Sequence, residues 1–220
     1  MPEELVSGCW WFDLGGVNAY LIEEGDDVIL VDAGMPWDAD DLRAEITATG
    51  HDLDDVTRVL VTHYDLDHVG TLAKLPLDAP IHVGAKDVDF LLGRQRPPLS
   101  NRKGFSQWLT GLFLDAPEQA DSITDGDEFG SFTAYDTPGH ALGHVAFVSR
   151  ERGVALLGDL VRESDGDLNP SPWFMSYDTG VVRESIRYLL RDGPQFDVAC
   201  VGHGQPLVTG GRDTLARSIE

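Results

Sequence analysis

The stretch VTHYDLDHVG at residues 61–70 decides how the rest of this sequence is interpreted. It continues an apolar run, residues 59–61, that has the composition of a buried β-strand. Four metal-binding types of side chain follow within residues 63–68: His63, Asp65, Asp67 and His68. A buried strand that ends in imidazole and carboxylate groups presents them together at the edge of a sheet. The stretch therefore raises metal binding as the first hypothesis.

Four further strand-like runs end in a polar residue of the same kinds. The runs VILV, FTAYDTPG, VALLG and VACVG lead into Asp32, His140, Asp159 and His203. A glycine precedes each of the last three, and glycine lets the backbone turn sharply and approach closely. These five strand ends together predict one shared site. Imidazole and carboxylate suit zinc, iron or manganese, and a carboxylate such as Asp159 can bridge two ions about 3.5–4 Å apart.

Short strand-like runs alternate with helix-like segments along the whole chain. The pattern predicts strands at 7–12, 19–24, 27–34, 57–63, 80–84, 130–140, 144–151, 153–159 and 196–204. It predicts helices at 38–49, 68–75, 85–94 and 181–192. Segments 95–119 and 162–180 are irregular, although the first contains apolar residues at near-helical spacing: Phe105, Trp108, Leu109, Leu112 and Phe113. Since neither a repeat nor a linker is present, we predict a single domain over residues 1–220.

The charge balance is strongly acidic, with 38 Asp and Glu against 16 Lys and Arg and a formal net charge of −22. Such a surface repels phosphate backbones, so we expect no nucleic acid as substrate or partner. Most of these carboxylates are typical of the hydrated acidic surface of halophilic proteins. With no long apolar run, no signal-peptide pattern and only two cysteines, we expect no membrane partner and a reduced, cytoplasmic protein.

The motifs HYDLDH, TPGHALGH, LLGD and VGHG, in this order and after strands, resemble the metallo-β-lactamase superfamily over about residues 18–206. The resemblance implies an α/β (α+β) fold, a four-layer αββα sandwich with a metal site at one edge. It implies a first metal bound by His63, Asp65 and His140, and a second bound by Asp67, His68 and His203. Asp159 would bridge the two ions and Asp32 would orient the ligands. His144 either supports them by hydrogen bonding or simply caps a helix or begins a strand.

Asp65 departs from the usual HxHxDH motif of that family, which has a histidine in its place. The exchange replaces a neutral nitrogen ligand by a charged oxygen ligand. It should weaken the Lewis acidity of the first metal and favour harder ions. The resemblance implies two divalent metal ions as cofactors, with zinc as the first expectation. The exchange at Asp65 makes manganese and iron the alternatives.

The resemblance implies a metal-dependent hydrolase in which a metal-bound hydroxide attacks a carboxylic ester, lactone or thioester. Asp67 would be catalytic, orienting the attacking oxygen or taking part in proton transfer. Two alternatives stay open. One is an oxidoreductase like the mononuclear iron persulfide dioxygenases, and the other is a non-catalytic, metal-stabilised binding protein, with a homodimer as one form.

The two irregular segments, 95–119 and 162–180, are predicted to cover the metal site and to contact a small-molecule substrate. Their aromatic residues are the candidate substrate contacts: Phe105, Trp108, Trp173, Phe174 and Tyr177. The alternative is that these side chains pack against the sandwich or a second subunit. A local basic cluster, Arg94, Arg96, Arg102 and Lys103, either steers a carboxylate-bearing substrate or pairs with nearby acidic residues.

Overall fold

The computed structural model describes all 220 residues, which form 14 β-strands and six α-helices. The strands are β1 (Glu3–Val6), β2 (Cys9–Asp13), β3 (Asn18–Glu24), β4 (Asp27–Val31), β5 (Arg58–Val61), β6 (Ile81–Gly84), β7 (Asp121–Ile123), β8 (Glu128–Phe129), β9 (Phe132–Asp136), β10 (Val145–Ser149), β11 (Val154–Gly158), β12 (Val161–Ser164), β13 (Asp167–Pro170) and β14 (Val198–Val201). The helices are α1 (Ala39–Ala48), α2 (Leu66–Val69), α3 (Val88–Leu91), α4 (Arg102–Gly111), α5 (Thr179–Asp192) and α6 (Gly211–Arg217). None of these helices has both the length and the apolar character needed to cross a membrane.

The strands form two main sheets. Strands β1 to β7 make a seven-stranded sheet in chain order, antiparallel up to β4 and parallel from β4 to β7. The second sheet has five strands in the order β14-β11-β10-β9-β8, and β14 runs parallel to β11. Strands β12 and β13 form a separate antiparallel hairpin.

Apolar residues on both faces of the strands build three cores and hence four layers. In β10, Val145 and Phe147 belong to the core between the two sheets, where they join Ile29 of β4. Their neighbours in β10 belong to a core shared with α5 and α6. A third core joins the other face of the first sheet to α1, through Leu42 and Ile46. Strands that are buried on both faces read as continuous apolar runs, as β10 does. The predicted αββα sandwich is thus confirmed.

The two segments predicted to be irregular contain regular elements. Helix α4 lies within 95–119 and is capped by Asn101, whose side chain accepts a hydrogen bond from the Lys103 amide at 2.8 Å. The hairpin of β12 and β13, residues 161–170, lies almost entirely within 162–180. Its two turn residues, Asp165 and Gly166, have φ values of 56° and 84°, as a two-residue Asp-Gly turn requires.

Three helices also differ from the sequence prediction. The helix predicted at 85–94 is the single turn α3. The helix predicted at 68–75 is the single turn α2, and the chain continues beyond it in turns. Helix α6, near the C-terminus, was not predicted; it begins after Gly210, which has a φ of 66°.

The carboxyl ends of β4, β5, β11 and β14 meet at one edge of the sandwich. Asn18, at the start of β3, ties the two sheets together there. Its side-chain amide donates to the carbonyl oxygens of Val201 at 2.8 Å and Gly204 at 2.7 Å. The hydroxyl of Tyr20 also donates to the Val201 carbonyl, at 2.7 Å. This edge therefore has a fixed geometry across the two sheets.

Candidate metal centre

The seven residues predicted as metal ligands come together at this edge. Their ligand atoms form three groups within 4.8 Å: His63, Asp65 and His140; His63, His68 and Asp159; Asp67, His68 and His203. Six of the seven residues are buried. Asp67 is the open member, with 27% of its side chain exposed.

Each of the four clustered imidazoles is anchored through Nδ1 and directs Nε2 into the cluster. The oxygen partners of Nδ1 are Thr62 Oγ1 for His63 (3.0 Å), Asp32 Oδ2 for His68 (2.8 Å), Ser171 Oγ for His140 (2.7 Å) and the Gly16 carbonyl for His203 (2.5 Å). An oxygen at Nδ1 fixes the tautomer and the ring orientation, and metal-binding histidines usually have such a partner. The arrangement matches histidines that bind metal through Nε2.

The second metal position, formed by Asp67, His68, Asp159 and His203, fits a divalent cation. His203 Nε2 lies 3.3 Å from Oδ2 of both Asp67 and Asp159. His68 Nε2 lies 3.5 Å from Asp159 Oδ1. Ligand atoms around a tetrahedral zinc ion with bonds of about 2.0–2.1 Å stand about 3.3 Å apart.

Three of the buried atoms at this position have no hydrogen-bond partner: His68 Nε2, His203 Nε2 and Asp159 Oδ1. Buried polar atoms are rarely left unpaired in a folded protein. A bound cation would satisfy all three. The residues present therefore suit zinc, manganese or iron at the second metal position.

The first metal position, formed by His63, Asp65 and His140, is contacted by a side chain that the sequence did not place there. Asp65 Oδ2 lies 3.2 Å from His63 Nε2 and 3.1 Å from His140 Nε2. The ammonium of Lys103 donates to that same Asp65 oxygen and to His140 Nε2, the latter at 3.0 Å. A neutral imidazole nitrogen has one lone pair, and here the Lys103 hydrogen bond uses it. The first metal position as observed therefore does not fit a second cation.

The pKa values of the cluster reflect this division of charge. Burial alone would raise the pKa of Asp65, but the Lys103 charge holds it well below its usual range. Burial, followed by the Lys103 charge, lowers the pKa of His140 to about 4, so this ring is neutral at pH 7. At the second metal position burial is outweighed by Asp159 and Asp67, which raise the pKa of His203 to about 9. Asp65 is thus paired with the lysine ammonium, whereas Asp67 and Asp159 at the second metal position have no lysine or arginine as partner.

Helix α4 brings both Lys103 and Gln107 to the cluster, because residues four apart lie on one helix face. Both side chains are buried. The Gln107 amide donates to Asp65 Oδ1 at 2.9 Å and to the Tyr64 carbonyl at 2.5 Å. Its own oxygen accepts from the Tyr177 hydroxyl at 2.6 Å. The sequence signal that could have found this face is the pair of polar residues at i and i+4 behind a helix-capping asparagine.

Asp32 lies behind the cluster, next to His68 and Thr62. Its two carboxylate oxygens accept the backbone amide and the hydroxyl of Thr62, both at 2.8 Å. Its φ of 59° is one of two positive values among the non-glycine residues, a conformation that aspartate tolerates better than most residues. The position lets one carboxylate hold both His68 and the strand end that carries His63.

His144 does not form the predicted hydrogen bond to the cluster. Its Nδ1 pairs with Thr137 Oγ1 at 2.8 Å, and its Nε2 has no partner. The ring lies beside that of His63, with 5.2 Å between the ring centroids. His144 directly precedes β10, in agreement with the alternative that it simply begins a strand.

The predicted substrate-contacting aromatics are spread over two connected elements. The guanidinium of Arg102 on α4 lies 5.1 Å from the Trp173 ring centroid, and Phe174 adjoins Trp173 at 6.0 Å. Phe105 is largely exposed, and so are Trp173 and Phe174. Tyr177 is joined to the cluster through Gln107, as described above.

Trp108 lies elsewhere on α4. It lines a cleft of about 210 Å³ together with Tyr64 and Phe90, and none of the seven clustered residues lines that cleft. A larger cleft, about 640 Å³, is lined by residues 72–73, 77–81 and 115–119 and is likewise separate from the cluster. Tyr177, which is joined to Asp65 through Gln107, is therefore linked to the metal centre more directly than Trp108.

A glycine before His203 is required by close packing inside the cluster. A Cβ atom at Gly202 would lie 2.1 Å from Asp159 Oδ1 and 2.9 Å from His68 Cε1. Both distances are far below van der Waals contact. The glycine of the VGHG motif thus makes room for the carboxylate of Asp159.

Comparisons with known proteins agree with this fold. The family model of the metallo-beta-lactamase superfamily matches residues 12–203. The chain is 29% identical over 204 residues to the protein YobT of Bacillus subtilis, covering 86% of this chain and 83% of YobT. It is 25% identical over 219 residues to the probable metallo-hydrolase YflN of the same organism, covering 86% and 81%.

Two further similarities are more limited. The hydroxyacylglutathione hydrolase of Bdellovibrio bacteriovorus is 28% identical over 109 residues, which cover 49% of this chain and 35% of that enzyme. The crystal structure of the metallo-beta-lactamase family protein TTHA1429 from Thermus thermophilus has a TM-score of 0.73 and 24% identity. It aligns over 98% of this chain and 79% of that one, and at this identity it supports the fold alone.

Proposed function

The chain belongs to the metallo-beta-lactamase superfamily, and on that premise we propose that it is a metal-dependent hydrolase of a carboxylic ester, lactone or thioester. The observation that carries the proposal is the second metal position, where three buried ligand atoms make no hydrogen bond within the protein. One of its ligands, the carboxylate of Asp67, is partly exposed to solvent. A metal position that solvent can reach suits a catalytic site better than a purely structural one.

A divalent cation held by Asp67, His68, Asp159 and His203 would act as a Lewis acid and lower the pKa of a water molecule. The protein fixes the ligands for that role, because His68 and His203 are held by Asp32 and by the Gly16 carbonyl. Asp67 is the most exposed of the four, so its carboxylate can orient a water molecule and accept a proton from it.

The positive charge of Lys103 lies on the other side of Asp65, against His140. An ammonium that is already desolvated and fixed stabilises negative charge that develops nearby in the transition state. Ester, lactone and thioester hydrolysis all develop such charge on the carbonyl oxygen. The similarity to a hydroxyacylglutathione hydrolase supports thioesters as one of the substrate classes to test first.

The proposal is tested by assaying the full-length protein, stripped with chelator and reloaded separately with Zn²⁺, Mn²⁺ or Fe²⁺. Suitable probes are p-nitrophenyl acetate, dihydrocoumarin and an S-acyl glutathione. We expect turnover of at least one class that requires added metal and is lost in His203→Ala. Turnover that is unchanged in this variant, or no turnover of any class with any of the three metals, would contradict the proposal.

Iron-dependent oxidation is the second candidate function. Two histidines with a carboxylate form the usual ligand set of non-haem iron, and the second metal position offers His68 and His203 with Asp159 and Asp67. The iron-loaded protein should then consume oxygen when glutathione persulfide is added. Hydrolysis of the ester panel without oxygen uptake supports the first candidate, and the reverse result supports the second. If neither reaction is observed, the remaining alternative is a non-catalytic, metal-stabilised binding protein.

A further inference from the structure

We propose that the ammonium of Lys103 takes the place of one of the two expected metal ions, so that the chain binds a single divalent cation, at the second metal position. The ammonium touches two of the three ligands of the first metal position, Asp65 and His140. The inference concerns metal occupancy. It goes beyond the proposed hydrolysis and holds or fails separately from it.

The burial of Lys103 is the first argument. Only 6% of this residue is exposed, and lysine is almost never this buried unless it is paired. Moving an ammonium out of water costs several kcal/mol, which only a close counter-ion and further hydrogen bonds offset. Asp65 provides that counter-ion and His140 provides the second acceptor. A divalent ion among the same ligands would repel the ammonium and remove both of these partners.

The polarity of helix α4 is the second argument. Its buried residues are Lys103, Gly104 and Gln107, while Phe105 and Leu109 are exposed. An ordinary surface helix buries its apolar residues instead. The close approach of α4 also depends on Gly104, since a Cβ there would lie 2.2 Å from the Pro98 carbonyl oxygen. The helix is therefore arranged to bring a cation and an amide to Asp65.

The chemistry of Asp65 is the third argument. This residue is the one departure from the HxHxDH motif, and a carboxylate rather than an imidazole is what an ammonium needs as partner. Gln107 satisfies the other oxygen of Asp65, so both oxygens are used within the protein. At the second metal position the opposite holds, since ligand atoms of His68, Asp159 and His203 make no hydrogen bond within the protein. One position is thus complete without metal and the other is not.

The test is the number of zinc ions bound per chain, measured by calorimetric titration of the chelator-stripped, full-length protein and checked by elemental analysis. The variants are Lys103→Ala and the double variant Asp65→His with Lys103→Ala. Lys74→Met is the matched control, because Lys74 Nζ donates to the Pro36 carbonyl, away from the metal centre. Circular dichroism reports whether each variant folds.

We expect one zinc ion per chain in the wild type and in Lys74→Met. We expect two in the double variant, because the cation is gone and an imidazole replaces the carboxylate, and a second, weaker ion in Lys103→Ala. Two ions in the wild type would overturn the proposal, as would no ion at all or a stoichiometry of one in both Lys103 variants. If the variants fail to fold, the wild-type stoichiometry alone decides. Failure to hydrolyse any ester would change none of these numbers.

Discussion

Nδ1 of His68 lies 2.8 Å from Oδ2 of Asp32, and both side chains are buried. This contact orients the imidazole so that its unpaired Nε2 points to Asp159, 3.5 Å away. Removing a hydrogen-bond partner behind a metal ligand typically weakens metal binding about 10–100-fold. We therefore expect Asp32→Ala to raise the zinc dissociation constant by about that factor, measured by competition with a chelator.

Asp54→Ala is the matched control for this change, because Asp54 is exposed and makes no side-chain hydrogen bond. Its zinc affinity should equal that of the wild type. Asp32 also anchors Thr62, so the metal-free Asp32→Ala protein should unfold more easily, by about 1–3 kcal/mol. Zinc affinity that is unchanged in Asp32→Ala would show that the orientation of His68 is fixed by other contacts.

Gly202→Ala should disturb the second metal position through steric contact alone. The new methyl group would lie 2.1 Å from Asp159 Oδ1, so either the carboxylate or the strand end must move. We expect at least a tenfold loss of zinc affinity, about 1.4 kcal/mol, in the same competition assay. The φ of Gly202 is not positive, so backbone strain should not contribute to the loss. Zinc affinity that is unchanged in Gly202→Ala would show that the second metal position accommodates the methyl group without moving Asp159.

Trp173→Ala should change substrate preference and leave metal binding intact. The ring is 67% exposed and stacks with Arg102 on the helix that carries Lys103. Loss of such a contact surface is worth about 1 kcal/mol, so kcat/KM should change several-fold and unequally between substrates. Trp37 is similarly exposed at 70%, which makes Trp37→Ala the control without effect. A parallel loss of zinc in Trp173→Ala would instead assign Trp173 to the packing of the metal centre.

Asp87 should make the stability of the metal-free protein depend on pH. Burial raises its pKa to about 6, from an ordinary value of 3.8. Because the folded state holds this proton more tightly than the unfolded state, the contribution is present at low pH. It is lost as the pH rises through 6. Between pH 4.5 and 7.5 the wild type should lose on the order of 2 kcal/mol of unfolding free energy relative to Asp87→Asn.

Urea unfolding of both proteins at the two pH values measures this difference. Asparagine can accept only one of the two backbone bonds that Asp87 accepts, from Tyr64 and Gly143, so the variant is destabilised at pH 4.5. That destabilisation should shrink as the pH rises. A constant difference, or one that grows with pH, would show that Asp87 is ionised in the folded protein throughout the range.

The fold and the clustering of the seven polar residues follow from local patterns in the sequence. Buried runs such as VILV and VACVG end in Asp32 and His203, and parallel strands bring such ends to a common edge. The glycine before His203 was expected to allow a close approach, and the contact with Asp159 is the observed reason.

The sequence predicted that segment 95–119 covers the metal site, but not that Lys103 and Gln107 of α4 contact Asp65. Lys103 is 38 residues from Asp65 in the sequence. The apolar residues around it in α4 are exposed, so they do not indicate which face of the helix is buried. The spacing of apolar residues predicts which face of a helix is buried only when the buried face is the apolar one. The capping residue Asn101 and the i,i+4 pair Lys103 and Gln107 were the available signals, but nothing local indicates which strand end such a helix covers.

The most direct test of the metal centre is a crystal structure of the zinc-loaded protein with anomalous data collected above and below the zinc edge. We expect one anomalous peak, between His68 Nε2, His203 Nε2 and the carboxylates of Asp67 and Asp159, with Lys103 still bonded to Asp65. A peak of equal height between His63, Asp65 and His140, with Lys103 displaced, would contradict the single-cation arrangement. The absence of any peak at the cluster would contradict the metal centre itself.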